Sequence, residues 1–240
     1  AIAGGASAKD AAIASTRAIS VAIAGSFGDR DAKIFNSLLF LMGGFLVMWM
    51  TTGFTMLETG LVRKKNVSMQ ALKNIAIYSI AGIVFWLVGY NVMYDGPAGG
   101  FIGTFLPFNF PAPGADTAPA GYAVASDWFF QMVFVAATAS IVSGAVAERI
   151  KLWPFLLFTV VLTGFFYPIT AGVLFLGART GKYGPDGSIT PMPGSSIPLA
   201  TLGMFILWMG WFGFNGASQL AMGTIADIGD VSRIFANTNL

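Results

Sequence analysis

Trp128–Ala147 carries no charged side chain, and it is bounded by Asp127 on one side and by Glu148, Arg149 and Lys151 on the other. About 20 apolar residues are what a helix needs to cross the hydrocarbon core of a bilayer. The run is asymmetric. Trp128, Phe129, Phe130 and Phe134 crowd the Asp127 end, whereas Ala136, Ser140, Ser143, Gly144 and Ala147 follow at helical spacing. Small residues three and four apart let helix backbones approach closely inside lipid. The spacing therefore predicts a tightly packed central helix with an aromatic mouth. An interfacial aromatic belt accounts for Trp128 and Phe129. Phe134 lies nearly two turns deeper, where pore lining and core packing both remain open.

Comparable runs recur. Leu38–Leu57 ends at Glu58, Ile75–Tyr94 ends at Asp95, Leu152–Ala178 is interrupted only by Pro154 and Pro168, and a further run covers Pro198–Met222. Only 10% of the 240 residues are charged, against about 25% in soluble domains, and the mean hydropathy is +0.72. The chain reads as an all-α integral membrane protein. We expect an extramembrane segment over residues 1–33 and a transmembrane domain over 34–240, with spans near 38–58, 74–94, 128–147, 152–169, a partial 171–178, and 198–222. A net charge of +2 without a basic stripe argues against nucleic acid as a partner. Without cysteine or histidine there is no disulfide framework, no histidine metal site and no imidazole relay within this chain. No cofactor, metal site or catalytic residue is expected, because no paired intramembrane carboxylates or nucleophile–base pair stand out.

Basic residues mark cytoplasmic loops. Arg63, Lys64, Lys65 and Lys73 put the first loop inside and the N-terminus outside. The 95–127 loop, with three acids and no base, is then outside, and Arg149 with Lys151 is inside again. After that the parity fails. Arg179 and Lys182 belong inside, and Asp227 with Asp230 outside, only if two crossings separate Lys151 from Arg179. Two helices need about 40 residues, far more than Leu152–Ala178 supplies, so either one crossing is missing or these one-charge differences carry no orientation.

Single polar residues refine the reading. Glu58, just past the first run, is expected to form a structural ion pair with Arg63 or Lys64. Lys73 and Asn74 are expected to anchor a helix end by snorkelling, and Glu148 with Arg149 to lock a loop. Ser195 and Ser196 are available to cap the helix that follows. Gly99, Gly100 and Gly181 read as turn residues.

Three stretches carry a family resemblance: Gly53–Asn66 (GFTMLETGLVRKKN), Asp127–Ile169 (DWFFQ…SGAVAERIKLWPFLLF…YPI) and Pro198–Ala221 (PLATLGMFILWMGWFGFNGASQLA), continued by Arg233–Leu240 (RIFANTNL). Together they resemble the Amt/Rh ammonium transporters, and most of all the bacterial Amt branch, from about Phe35 onward. The resemblance implies the Amt-type bundle, of which this chain is about the N-terminal half of an inverted-repeat fold. It also implies that the chain passes from the outer end of the fourth helix at Tyr167–Ile169 to the inner end of the fifth at Ala171–Gly177. The crossing absent from the charge count is absent there too, together with the family's vestibule Trp, its Asp near the ammonium site and the first of its two pore histidines. Three readings stay open. The numbered chain joins ends that are not bonded neighbours, the chain carries an internal deletion, or the region has been rebuilt compactly. The first would leave consecutive Cα atoms near Thr170 much more than about 3.8 Å apart.

Selecting ammonium requires telling a small N–H cation from water and alkali ions. Aromatic faces attract cations, a hydroxyl oxygen accepts an N–H, and an oily conduit then disfavours charge. By resemblance, Phe130 and Phe134 are the outer aromatics, with Phe134 an outer gate ring. Phe214 is the second gate ring, Ser218 the hydroxyl of the recruitment site and Gln131 a helix-bridging amide. The expected function is transport of ammonium or ammonia by a homotrimer in the inner (plasma) membrane, regulated by a PII-type protein at the cytoplasmic face. The alternative is a non-conducting fragment or ammonium-sensing relative.

Overall fold

The computed structural model describes residues 8–95, 102–112, 114–116, 121–169 and 181–239. Helix α1 (Ala8–Leu61) leads into α2 (Val67–Val84), a π-helical turn (Phe85–Gly89) and α3 (Tyr90–Tyr94), which together form one rod. Next come α4 (Val124–Ala145) and a second rod made of α5 (Leu152–Val161), a π turn (Leu162–Phe166) and α6 (Tyr167–Ile169). Helices α7 (Ile197–Ala217) and α8 (Ile225–Thr238) complete the chain. Gly28–Leu61, Lys64–Tyr94, Val124–Ala145 and Ile197–Ala217 are long and apolar enough to cross a membrane, and Leu152–Phe166 is a shorter apolar helix.

The segment expected outside the membrane is helical over its described part. From Ala8 it continues into the first span as one helix. The segment after the last span is not a bare loop either. Thr224 and Asp227 form a reciprocal capping box that starts α8, an element the charge pattern alone did not reveal.

Both π turns have local causes. In the first, the Tyr90 amide reaches back to the Phe85 carbonyl, which releases the Trp86 carbonyl. The Phe108 amide takes it at 2.9 Å, and the Trp86 indole donates in return to the Phe108 carbonyl at 2.9 Å, strapping the 102–112 segment over the bundle. In the second, Tyr167 reaches back to Leu162 just ahead of Pro168, whose ring excludes the ordinary hydrogen bond to Gly164. The two turns face each other at Gly89 and Gly164. A Cβ on Gly89 would meet the Thr163 carbonyl at 3.0 Å, and one on Gly164 would meet Val84 at 2.8 Å.

Helices α1 and α7 make the longest seam. They run antiparallel, since Gly60 meets Ser196 and Ala200 at one end and Gly43 meets Ala217 at the other. Small residues line both sides, as close helix approach within lipid demands. On α4 the small face read from the sequence is the packed one, with Ala136, Ala139, Ser140 and Ser143 buried.

The loops carrying Arg63–Lys65 and Glu148–Lys151 meet at one end, here the basic end. Glu148 Oε1 accepts from the Arg63 amide (3.0 Å), from Arg63 Nε (3.0 Å) and from Asn66 Nδ2 (2.5 Å). Arg63 is thus the partner of Glu148 rather than of Glu58, and Glu148 ties its loop to the one that carries Arg63 and Asn66. Its side chain is fully enclosed, and the clamp holds it at φ 62°, a left-handed conformation that costs a residue with a Cβ roughly 1–2 kcal/mol. Burial alone would raise the Glu148 pKa. Hydrogen bonds from Asn66 and Arg63, together with the Arg63 charge, outweigh it and hold the carboxyl below its ordinary range. A depressed pKa stabilises the fold above the unfolded value, near 4.3, and that stability is lost as pH falls through the folded value. The protein is therefore expected to become protease-sensitive around residues 147–151 below about pH 4. In Glu148→Gln the cleavage rate should no longer change with pH across that range. An unaltered acid step in the variant would mean that another group sets it.

Ser195 and Ser196 also dock at the basic end, their amides donating to the carbonyls of Val62 (2.8 Å) and Gly60 (3.1 Å). Ser196 caps α7 by accepting from the Leu199 amide, as expected, whereas Ser195 donates to the Thr59 carbonyl instead. Tyr167, by contrast, packs against the core cluster that includes Tyr90, toward the far end. Ile169 and Ser195 therefore lie toward opposite ends of the bundle. The inferred partial span at 171–178 and the junction at Thr170 lie outside the described residues, as do Gly99 and Gly100. Gly181 does sit in a turn, at φ 81°.

Candidate functional site

At the far end, α1, α4 and α7 bring five of their aromatic rings into one continuous cluster. Phe130 on α4 is 2% exposed and lies parallel to Phe40 of α1 at 5.1 Å and 11°. Phe134, one turn along α4, is 4.7 Å from Phe130 and stacks on Phe214 of α7 at 4.3 Å and 30°. Trp211, three residues before Phe214, continues the stack at 4.9 Å and 12°. Phe134 and Phe214 are thus in ring-to-ring contact.

Ser218 follows Phe214 by four residues and is exposed. Its hydroxyl donates to the Phe214 carbonyl at 2.6 Å. With its single proton committed there, the oxygen presents lone pairs outward and acts as an acceptor. Gln131 is half-buried and lies near the Asp127 carboxylate and the Tyr94 hydroxyl. The structure thus brings Phe130, Phe134, Phe214 and Ser218 to one place, with Gln131 next to Phe130 in the chain.

Asp127 differs from the expected end-marking acid. It is 2% exposed, and the Tyr90 hydroxyl donates to it at 2.8 Å. A buried carboxylate therefore stands one turn from Phe130, and its negative field favours a cation at the mouth. Phe40 and Trp211 went unrecognised from sequence. Trp211 carries a usable signal, since its spacing of three from Phe214 places both on one helix face. Phe40 carries none, because its partner lies on a different helix.

A second polar centre lies in the basic half. Glu58 is 4% exposed, and its Oε2 accepts from Gln70 Nε2, from Asn74 Nδ2 at 2.8 Å and from Ser143 Oγ at 2.8 Å. Lys73 does not snorkel. It is 3% exposed, and its ammonium donates to the Ser143 carbonyl at 3.0 Å and lies 4.8 Å from the centre of the Phe155 ring. Asn74 is likewise part of this centre rather than a helix-end anchor. Among the described residues, no group of three or more acidic side chains could hold a metal ion.

Comparison with known proteins follows the same lines. The model of the Ammonium Transporter Family matches residues 38–176 and 170–240, in two pieces that overlap where the sequence reading found its discontinuity. The chain is 34% identical over 245 residues to "Ammonium transporter Amt2" of Archaeoglobus fulgidus, covering 83% of this chain and 50% of that protein. With "Ammonium transporter Amt2" of Methanocaldococcus jannaschii the identity is 36%, over 77% of this chain and 50% of the relative. Among solved structures, a "Sensor Amt Protein" superimposes with a TM-score of 0.72 at 32% identity, over 85% of this chain and 58% of the other. Saccharomyces cerevisiae Mep2 shares the fold, with a TM-score of 0.64 at 21% identity. The chain spans about half the length of the curated relatives it matches.

Proposed function

The chain belongs to the Ammonium Transporter Family, and from that premise we propose that its bundle forms one wall of an ammonium-conducting path across the cell membrane. The cation is recruited at the mouth by the faces of Phe130, Phe134 and Phe214 and by the outward lone pairs of Ser218, and Phe134 and Phe214 serve as the gate. Gln131 holds α4 to α3 and so fixes the mouth's width. The observation that carries this reading is the Phe134–Phe214 stack with the oriented Ser218 hydroxyl one turn away. An N–H cation is recognised there by ring quadrupoles and one acceptor, and the apolar interior beyond favours release of a proton and passage of neutral ammonia. Transport rather than catalysis, an external N-terminus, a homotrimeric assembly and a PII-type regulator at the basic, cytoplasmic end belong to the same proposal.

Uptake of ammonium by liposomes containing the purified chain tests it. Phe214→Ala is expected to reduce discrimination of ammonium over potassium about tenfold, on the scale of one desolvated cation–π contact. Ser218→Ala is expected to act in the same direction and less strongly. Uptake with unchanged selectivity in both variants would remove these residues from the site.

One observation favours a second reading, in which the chain binds ammonium without conducting it. Met204, Phe205, Trp208 and Met209 on α7 are exposed, and the chain spans about half the length of the relatives it matches, so a closed path would draw on surfaces beyond the described helices. Ammonium binding that depends on Phe214, with no flux above empty liposomes, would select this reading.

A further inference from the structure

The second oxygen of Glu58 has a setting quite unlike the first. Oε2 receives all three donors, whereas Oε1 has no hydrogen-bond partner among the described residues although it is buried. The hydroxyl of Ser140, a residue with 0% exposure, is likewise unpartnered. Both residues line one cavity of about 270 Å³ between α1 and α4, walled mainly by Phe54, Leu57, Leu61 and Ile141. Gly144, one turn from Ser140 on the same face of α4, keeps the oxygen open to this space, since a Cβ there would lie 3.3 Å from Oε1. A buried acceptor without a donor costs free energy. Lys73 does not donate to it; its ammonium donates to the Ser143 carbonyl and lies over the Phe155 ring.

We propose that this cavity is a second cation site, in the basic half of the bundle, for ammonium or a short alkylammonium. The N–H groups donate to Glu58 Oε1 and Ser140 Oγ, and a methyl group or a companion water rests against Phe54 and Leu57. Two directed acceptors in apolar walls suit an N–H cation. An alkali ion instead needs a shell of oxygens to replace its water. The site is separate from the mouth, which is built on Phe40, Phe130, Phe134 and Phe214. It rests on the ammonium reading for the choice of cation, and the experiment separates the two.

The experiment is a calorimetric titration of the purified chain in detergent with methylammonium chloride against a constant sodium chloride background. In Phe214→Ala, where the mouth is weakened, a binding heat is expected to persist. Adding Ser140→Ala or Gly144→Ala to that variant is expected to weaken the remaining binding about tenfold, the scale of one hydrogen bond to a cation. Ser140→Ala breaks no hydrogen bond among the described residues, so it tests the site even if Gly144→Ala disturbs packing, and a melting curve on each variant monitors the fold. A heat that Phe214→Ala leaves intact and Ser140→Ala weakens supports the cavity while counting against the mouth. Binding in Phe214→Ala that neither further substitution alters, or no binding there at all, overturns the inference.

Discussion

Alanine at Gly203 is expected to separate α1 from α7 and to leave a protein that no longer folds into a stable bundle. A Cβ at this position would stand 2.4 Å from the Leu57 amide nitrogen, 2.7 Å from the Gly53 carbonyl oxygen and 3.0 Å from the Leu57 Cα. All three are backbone atoms, so no side chain can swing aside, and the helices must move apart along the whole seam. Gly53 faces the Gly203 carbonyl at 3.0 Å in the reciprocal contact, and Gly60, Gly210 and Gly213 are similarly tight. Overpacking typically costs about 1–3 kcal/mol, and backbone collision with loss of neighbouring contacts puts Gly203→Ala at or above the top of that range. The control is Gly229→Ala on α8. A Cβ there meets nothing within 4 Å, and replacing a helical glycine gains up to about 1 kcal/mol. Unfolding in mild detergent followed by circular dichroism reads both. A Gly203→Ala midpoint equal to that of the parent would show that the seam is not held by close backbone approach.

The glycines that make this seam were visible in the sequence, but their pairing was not. Small residues at helical spacing say that a backbone will be approached, without saying by which helix. For that reason α4 was read correctly as a packed helix on Ala136, Ser140 and Ser143, while the α1–α7 contact had to come from coordinates. Spans were legible because lipid imposes length and charge exclusion on each segment independently. Pairings of charged side chains were legible least. Glu58 and Arg63 are near in sequence, yet Arg63 turns to Glu148 on another loop, and Glu58 is claimed by Gln70 and Asn74 from α2 and Ser143 from α4. Lys73 looks like a snorkelling anchor only while its helix is considered alone. The aromatic site lies between these cases. The residue types Phe130, Phe134, Phe214 and Ser218 came from resemblance, and the coordinates added Phe40, Trp211 and the burial of Asp127.

Leucine at Glu58 is the other substitution expected to be ruinous, by a different route. Volume is nearly conserved, so the damage is polar. Gln70 Nε2, Asn74 Nδ2 and Ser143 Oγ all lose their common acceptor, and all three residues are fully buried. An unsatisfied buried donor costs about 1–3 kcal/mol. Lys73 compounds the loss, since its ammonium stays inside the protein with only the Ser143 carbonyl and the Phe155 ring as partners. Removing one member of a buried charge pair typically destabilises by about 3–5 kcal/mol, and Glu58→Leu is expected at the upper end of that span. Glu58→Gln should cost less, because its amide oxygen still accepts from Asn74 and Ser143. The informative measurement is the cycle with Lys73→Met. If the carboxylate and the ammonium compensate each other across Ser143, the double variant Glu58→Leu/Lys73→Met will be more stable than Glu58→Leu alone, by about 1 kcal/mol or more. Strict additivity in that cycle would mean that the amides, not the charge, account for the role of Glu58, and would leave Lys73 with the phenyl ring as its main support.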